Sequence, residues 1–192
     1  MLYFLLSILL IVIDQATKVA VRQSLALGGT APFLPHILEL TYVQNTGAAF
    51  SFLAGADLTW LLAIVSLIAT VVIALALWKD VFPGVWGRLA LSLLLAGAAG
   101  NLIDRALLGY VTDMFQTVFM EFPVFNVADI CVVCGGALMI IYVLFFYDRD
   151  VTAPGGKIGA APAEPAPEPE AEAPSEAQDA EAPATEDDHD PA

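Results

Sequence analysis

Four stretches of this 192-residue chain are long and apolar enough to cross a bilayer: residues 1–21, 58–78, 86–102 and 130–147. A span needs about 20 mostly apolar residues. Within hydrocarbon a single segment satisfies its backbone polar groups only as a helix. The expected fold is therefore an all-α membrane protein with four transmembrane helices. A hydrophobic fraction of 58% agrees with this, since soluble domains stay nearer half apolar. The first stretch is read as a retained span. No basic residue precedes its apolar run, and 14-DQATK-18 follows it instead of a small-residue cleavage site.

Charge divides the chain in two. Up to Asp150 there are six Lys/Arg against ten Asp/Glu, a net of −4; beyond it Lys157 stands against eleven acids, a net of −10, which together make the −14 of the whole chain. Residues 1–150 are thus expected to form the membrane domain. Residues 151–192, rich in Pro, Ala and Glu, cannot bury enough apolar surface to offset the entropy of ordering and are expected to be a disordered acidic tail. Nothing in this balance suggests a nucleic-acid partner. Orientation follows from Lys and Arg near the span ends: Lys79 and Arg88 flank the short connection between spans two and three, and Arg149 and Lys157 follow span four. Both termini are expected on the cytoplasmic side, with two longer connections on the far side.

Those far-side connections are not plain hydrophilic loops. In 33-FLPHILELTYVQNTGAAFSFL-53 a β-prone run ends at a turn signal, so a short extended element lying on the membrane surface is expected there. The second connection, 114-MFQTVFMEFPVF-125, is rich in Phe and is expected to sit in the interface as an anchor or as a flap over a site.

The polar residues of the body gather at the far-side ends of the spans. Asp14 and Lys18 stand four apart on span one, acid before base. Asn101, Asp104 and Arg105 close span three, Asp113 follows, and Asn126 and Asp129 open span four. Ionisable groups at membrane depth are expensive and point to function. No His/Cys set or HExxH motif supports a metal centre, and no cofactor is expected. Cys131 and Cys134 read as buried small hydrophobes. A Ser51–Lys18 dyad is disfavoured because Lys18 already has Asp14 beside it. Paired carboxylates fit best: two aspartates held close cannot easily both ionise, so one keeps a proton while the other acts as a base toward water. Spacing does not select which two of Asp104, Asp113 and Asp129 meet. Each also has an ordinary alternative: Asp129 as the N-cap of span four, Asp104 in a local pair with an arginine.

The blocks 14-DQATK-18, 45-NTGAAFS-51, 100-GNLIDR-105, 109-GYVTDMF-115 and 125-FNVAD-129, in this order on four spans, resemble lipoprotein signal peptidase, the type II signal peptidase of bacteria. The resemblance implies an aspartic peptidase of the inner membrane that cuts prolipoproteins before the diacylglyceryl-modified cysteine, as a monomer among membrane lipids. It puts the catalytic pair on Asp113 and Asp129, near the outer face. It gives supporting roles to Asp14, Lys18, Asn45, Gly47, Asn101, Asp104 (with Arg105), Arg105 and Asn126. Thr112 and Met114 depart from the flanking residues usual in that family. The competing classes are a transporter or proton-relay subunit, with acids spread through the bilayer depth, and a tetraspan scaffold, with no need of unpaired acids.

Overall fold

A computed structural model describes residues 1–47 and 59–152. Among these residues, four helices are long and apolar enough to span a membrane: α1 (Leu2–Ser24), α2 (Thr59–Trp78), α3 (Gly84–Leu108) and α4 (Val127–Phe145). A short α5 (Tyr147–Thr152) follows α4. Between them lie β1 (Thr30–Leu34), β2 (Leu38–Asn45) and β3 (Val111–Thr117), which form one antiparallel sheet in the order β1-β2-β3.

Helix α3 is the most enclosed of the four, and α1, α2 and α4 all pack on it. Small residues make this possible. A Cβ at Gly97 would lie 2.5 Å from both the Ala128 carbonyl oxygen and Val132 Cγ2, and one at Gly135 would lie 2.9 Å from Leu93 Cβ. The run 96-AGAAG-100 therefore lets α3 and α4 touch backbone to backbone, the usual means of tight helix association where lipid removes the hydrophobic drive. The outer faces keep their large apolar residues exposed, among them Leu5, Ile8 and Leu9 on α1 and Ile64, Ile68 and Val72 on α2.

Three expectations need correction. Span three does not end near Leu102: Leu107 and Leu108 continue the helix until Gly109 stops it with a left-handed φ of 77°. Asp104 and Arg105 thus lie within α3, with Arg105 in its last turn, so they do close the span as expected. Span four starts earlier than expected, at Val127, because Asn126 caps it. The extended structure is not confined to the first connection either, since 111-VTDMFQT-117 adds a third strand alongside β2. Its β-branched residues suit a strand, but a lone seven-residue strand has no stability without β2 as a partner. The expected interface segment is accordingly split. Residues up to Thr117 belong to the sheet, and Phe125 folds back to bridge Phe115.

A cluster of Val21, Tyr42 and Met114, with Leu25, Leu40 and Phe115 packed around it, seats the sheet on the end of α1. The helical interlock gives a direct test. Gly97→Ala is expected to lose about 1–3 kcal/mol by overpacking, whereas Gly136→Ala, with nothing within 4 Å of its added Cβ, should be neutral or slightly stabilising. Thermal melting in detergent checks this; equal shifts for the two variants would contradict the interlock.

Candidate active site

Strand pairing brings the first carboxylate into place. Asp113 stands opposite Val43 and Asn45 opposite Val111, so Asn45 and Asp113 are diagonal neighbours on one face. Asn45 Nδ2 donates to Asp113 Oδ2 at 2.9 Å. The Asn45 side chain is held in turn by the Gly47 N–H, which donates to Asn45 Oδ1 at 2.8 Å. Gly47 has φ 88°, a left-handed conformation that favours glycine. Thr112 and Met114, on either side of Asp113, serve the fold. The Thr112 hydroxyl accepts from Arg22 Nη1 at 2.8 Å, and Met114 fills the cluster under the sheet. Side chains alternate along a strand, so residues flanking Asp113 can vary without moving its carboxyl group.

The second carboxylate comes from the first turn of α4. Asn126 Oδ1 accepts from the Asp129 N–H at 2.9 Å, and Asp129 Oδ2 accepts from the Asn126 N–H at 3.1 Å. This is a reciprocal capping box. Asp129 is thus its third helical residue and not the N-cap. The box orients both side chains. Asn126 Nδ2 reaches Asp113 Oδ1 at 2.7 Å, and Asn101 Nδ2 reaches Asp129 Oδ1 at 2.8 Å. Asn126 therefore bridges the two aspartates, which line one cavity of about 450 Å³ with Asn45, Phe122, Phe125, Ile130 and Val133. Burial pushes the Asp113 carboxyl up to about 6, with the nearby Asp129 charge adding to the rise and the Asn45 and Asn126 amides opposing it.

Beneath this pair lies a layer of buried charge. Lys18 is 0% exposed and forms an i,i+4 salt bridge to Asp14 at 2.9 Å. Its ammonium also donates to Asn101 Oδ1 at 3.0 Å and lies 3.5 Å from Asp104 Oδ2. Asp14 Oδ1 accepts from the Ala128 N–H at 2.9 Å, and Asp104 Oδ2 from the Thr112 N–H at 2.8 Å. Asp104 does not pair with Arg105 as expected: its partners are Lys18, Gln15 and Arg22. The reason is helical geometry, because adjacent residues on a helix do not face each other. Arg105 donates to Ser66 Oγ on α2 at 3.3 Å and acts electrostatically on Asp129 and Asp113.

Of the ten anticipated residues, Asp113, Asp129, Asn45, Asn101 and Asn126 meet directly, and Gly47, Lys18, Asp14 and Asp104 support them. Arg105 stands apart from that hydrogen-bonded set. Among the described residues, no group of three His, Cys, Asp or Glu side chains converges as a metal site. Ser51 lies outside the described residues. Cys131 is buried as expected, but Cys134 is exposed and lines the cavity beside Asp129, because it falls on the outward side of α4. Gln15, Arg22 and Thr112 were missed. The i, i+4, i+8 spacing of Asp14, Lys18 and Arg22 is the signal that could have revealed Arg22. Among the described residues, Asp14, Asp104, Asp113 and Asp129 gather at one end of the bundle, not along its length as a proton relay would require.

Comparison with known proteins identifies the family. A family model described as signal peptidase (SPase) II matches residues 6–145. The chain is 46% identical over 142 residues to a lipoprotein signal peptidase of Enterococcus faecalis, covering 74% of this chain and 87% of that protein. It is 44% identical over 149 residues to one of Clostridioides difficile, covering 78% and 99%. Among solved structures, a bacterial membrane enzyme superposes with a TM-score of 0.69 at 33% identity, covering 75% of this chain and 93% of that one. With four membrane-length helices, two bridged aspartates at one end and a family match spanning nearly the whole described body, the chain belongs to the signal peptidase II family.

Proposed function

We propose that this signal peptidase, a membrane-embedded enzyme that processes prolipoproteins, hydrolyses its substrate by an aspartic mechanism carried by Asp113 and Asp129. The observation that carries the reading is that the single residue Asn126 holds two carboxylates lining one apolar cavity, Asp113 through its side-chain amide and Asp129 through its backbone N–H. Asp113, raised to about 6 by burial, holds the shared proton, and Asp129 is the base. Asp129 takes a proton from water as the water oxygen attacks the scissile carbonyl carbon. Asp113 gives its proton to the carbonyl oxygen. Collapse of the tetrahedral intermediate returns a proton to the departing nitrogen, so no covalent enzyme intermediate forms.

The cut falls before the diacylglyceryl-modified cysteine. Its acyl chains stay in the bilayer at about 0.8 kcal/mol per buried CH₂, and the apolar cavity wall suits a scissile bond presented from lipid. The sheet and the aspartates lie at the outer face. At the opposite end, Tyr3 sits under Arg88 at 5.9 Å and Tyr142 Oη donates to the Pro83 carbonyl, so the start of α1 meets the start of α3 and the end of α4 meets the α2–α3 connection. With Lys79, Arg88 and Arg149 there, both termini face the cytoplasm. The enzyme acts as a monomer. Residues 1–150 form the peptidase domain, and 151–192 form a tail that takes no part in chemistry.

Three outcomes test this. In detergent with a diacylglyceryl-modified prolipoprotein, folded Asp113→Asn and Asp129→Asn should each lose at least about 10³-fold in kcat; normal cleavage by either would remove the dyad. A chain ending at Lys157 should keep the kcat/KM of the full chain. The third outcome concerns pH. The folded state holds the Asp113 proton more tightly than the unfolded chain, whose ordinary value is 3.8. Its stabilising contribution is whole below about pH 4 and is lost as pH rises through about 6, amounting to about 3 kcal/mol. Asp113→Asn carries no such loss, so its melting temperature should gain on that of the wild type between pH 4 and 7. A constant difference would contradict the raised value.

A further inference from the structure

We propose that Lys18 is a positioning residue whose buried ammonium locks the Asn101 side-chain amide and, through its oxygen, braces that of Asn126, so that each aspartate keeps an N–H donor throughout turnover. The inference rests on the Asp113–Asp129 reading above. An ammonium has three donors and no acceptor, so an amide facing it must present its oxygen. Lys18 Nζ contacts Asn101 Oδ1 at 3.0 Å, which leaves Asn101 Nδ2 aimed at Asp129 Oδ1. The same Asn101 Oδ1 accepts from Asn126 Nδ2 at 3.1 Å, and that nitrogen also serves Asp113 Oδ1. One cation therefore sets the polarity of Asn101, and the Asn101 oxygen it holds braces the Asn126 amide that the Asp129 N–H already orients.

Asp129 cannot do this itself. An ionised carboxylate is an acceptor, but once it takes a proton it offers a donor as well, and an unconstrained Asn101 could then turn its oxygen toward it. The Lys18 ammonium has anchors of its own apart from Asp129, with Asp14 at 2.9 Å and the carboxylate of Asp104 at 3.5 Å. The other charged groups near the pair are Arg105 on α3, which acts electrostatically on Asp113 and Asp129, and Arg22, 3.9 Å from Asp104. Neither forms a hydrogen bond with the two amides.

The test compares full-length wild type with Lys18→Met, which keeps the stem and removes the ammonium, and with Asp14→Asn/Lys18→Met, which leaves no Asp14 charge unpaired. Lys18→Gln retains a donor amide. Cleavage of a diacylglyceryl-modified prolipoprotein in detergent is followed from pH 5 to 9, on folded fractions. Both Met variants should lose about 10- to 100-fold in kcat, the range one hydrogen bond to a charged group covers. KM should stay within about twofold, and the pH profile should move to the alkaline side as a nearby cation is lost. Lys18→Gln should lose less. Wild-type kcat and pH profile in any folded variant without the ammonium overturns the inference. A loss that merely follows the folded fraction with no shift in profile, or failure of all three to fold, makes Lys18 structural and overturns it as well. Asp113→Asn and Asp129→Asn in the same assay separate the two readings: if they cleave normally the dyad itself is wrong, whereas if they are inert and the Lys18 variants are not impaired, only the positioning role is lost.

Discussion

A fully buried ammonium determines how the upper half of this protein is put together. Lys18 has no exposure, and a cation in that position is tolerated only with acceptors on every donor. It finds them on two elements: Asp14 on its own helix, and Asn101, Asp104 and the Gly100 carbonyl on α3. Its two carboxylate partners reach onward, Asp14 to the Ala128 N–H at the start of α4 and Asp104 to the Thr112 N–H at the start of β3. Those are the two segments that carry Asp129 and Asp113. The charge layer thus sets where the two aspartates stand relative to one another. Removing one partner of such a pair costs about 3–5 kcal/mol, which makes the arrangement stiff as well as specific.

Close helix contact makes that layer possible. Gly100 faces Asp14 so closely that a Cβ there would lie 2.7 Å from Asp14 Oδ2. With Gly97 against Ala128, α3 runs near enough to both α1 and α4 for short polar side chains to span the gaps. Among the described residues, no buried side-chain nitrogen or oxygen lacks a hydrogen-bond partner. In a low-dielectric setting a complete network of this kind is rigid, whereas a half-satisfied one would be costly. The cavity above it is walled largely by Phe, Val and Ile, so two titratable groups meet a surface suited to a lipidated chain.

Several features were legible from residues alone. The four spans followed from apolar length, and the Asp14–Lys18 pair followed from helical spacing. The clustering of acids and amides at one end followed from their positions beside the span ends. Others were not. The strand at 111–117 is not legible because its stability comes from β2, about seventy residues away, and its second half reads instead as part of an interface segment. Asp104 was matched to its sequence neighbour Arg105, although the helix turns the two apart and offers Asp104 to Lys18 on another helix. Cys134 was grouped with Cys131, yet one step around α4 separates a buried position from one lining the cavity.

By itself, the sequence determined that this chain crosses a membrane four times and concentrates costly polar groups at one end, because hydrophobic length and the price of burying charge are local properties. Motif order on those spans was enough to identify the family. The motif resemblance named Asp113 and Asp129, which spacing alone left open; only the tertiary structure decided which amides hold each carboxylate and which cation faces Asn101. Those facts depend on the register of β2 against β3 and on how closely α1, α3 and α4 approach. Both are set by contacts between residues far apart in the chain, and no local pattern encodes them.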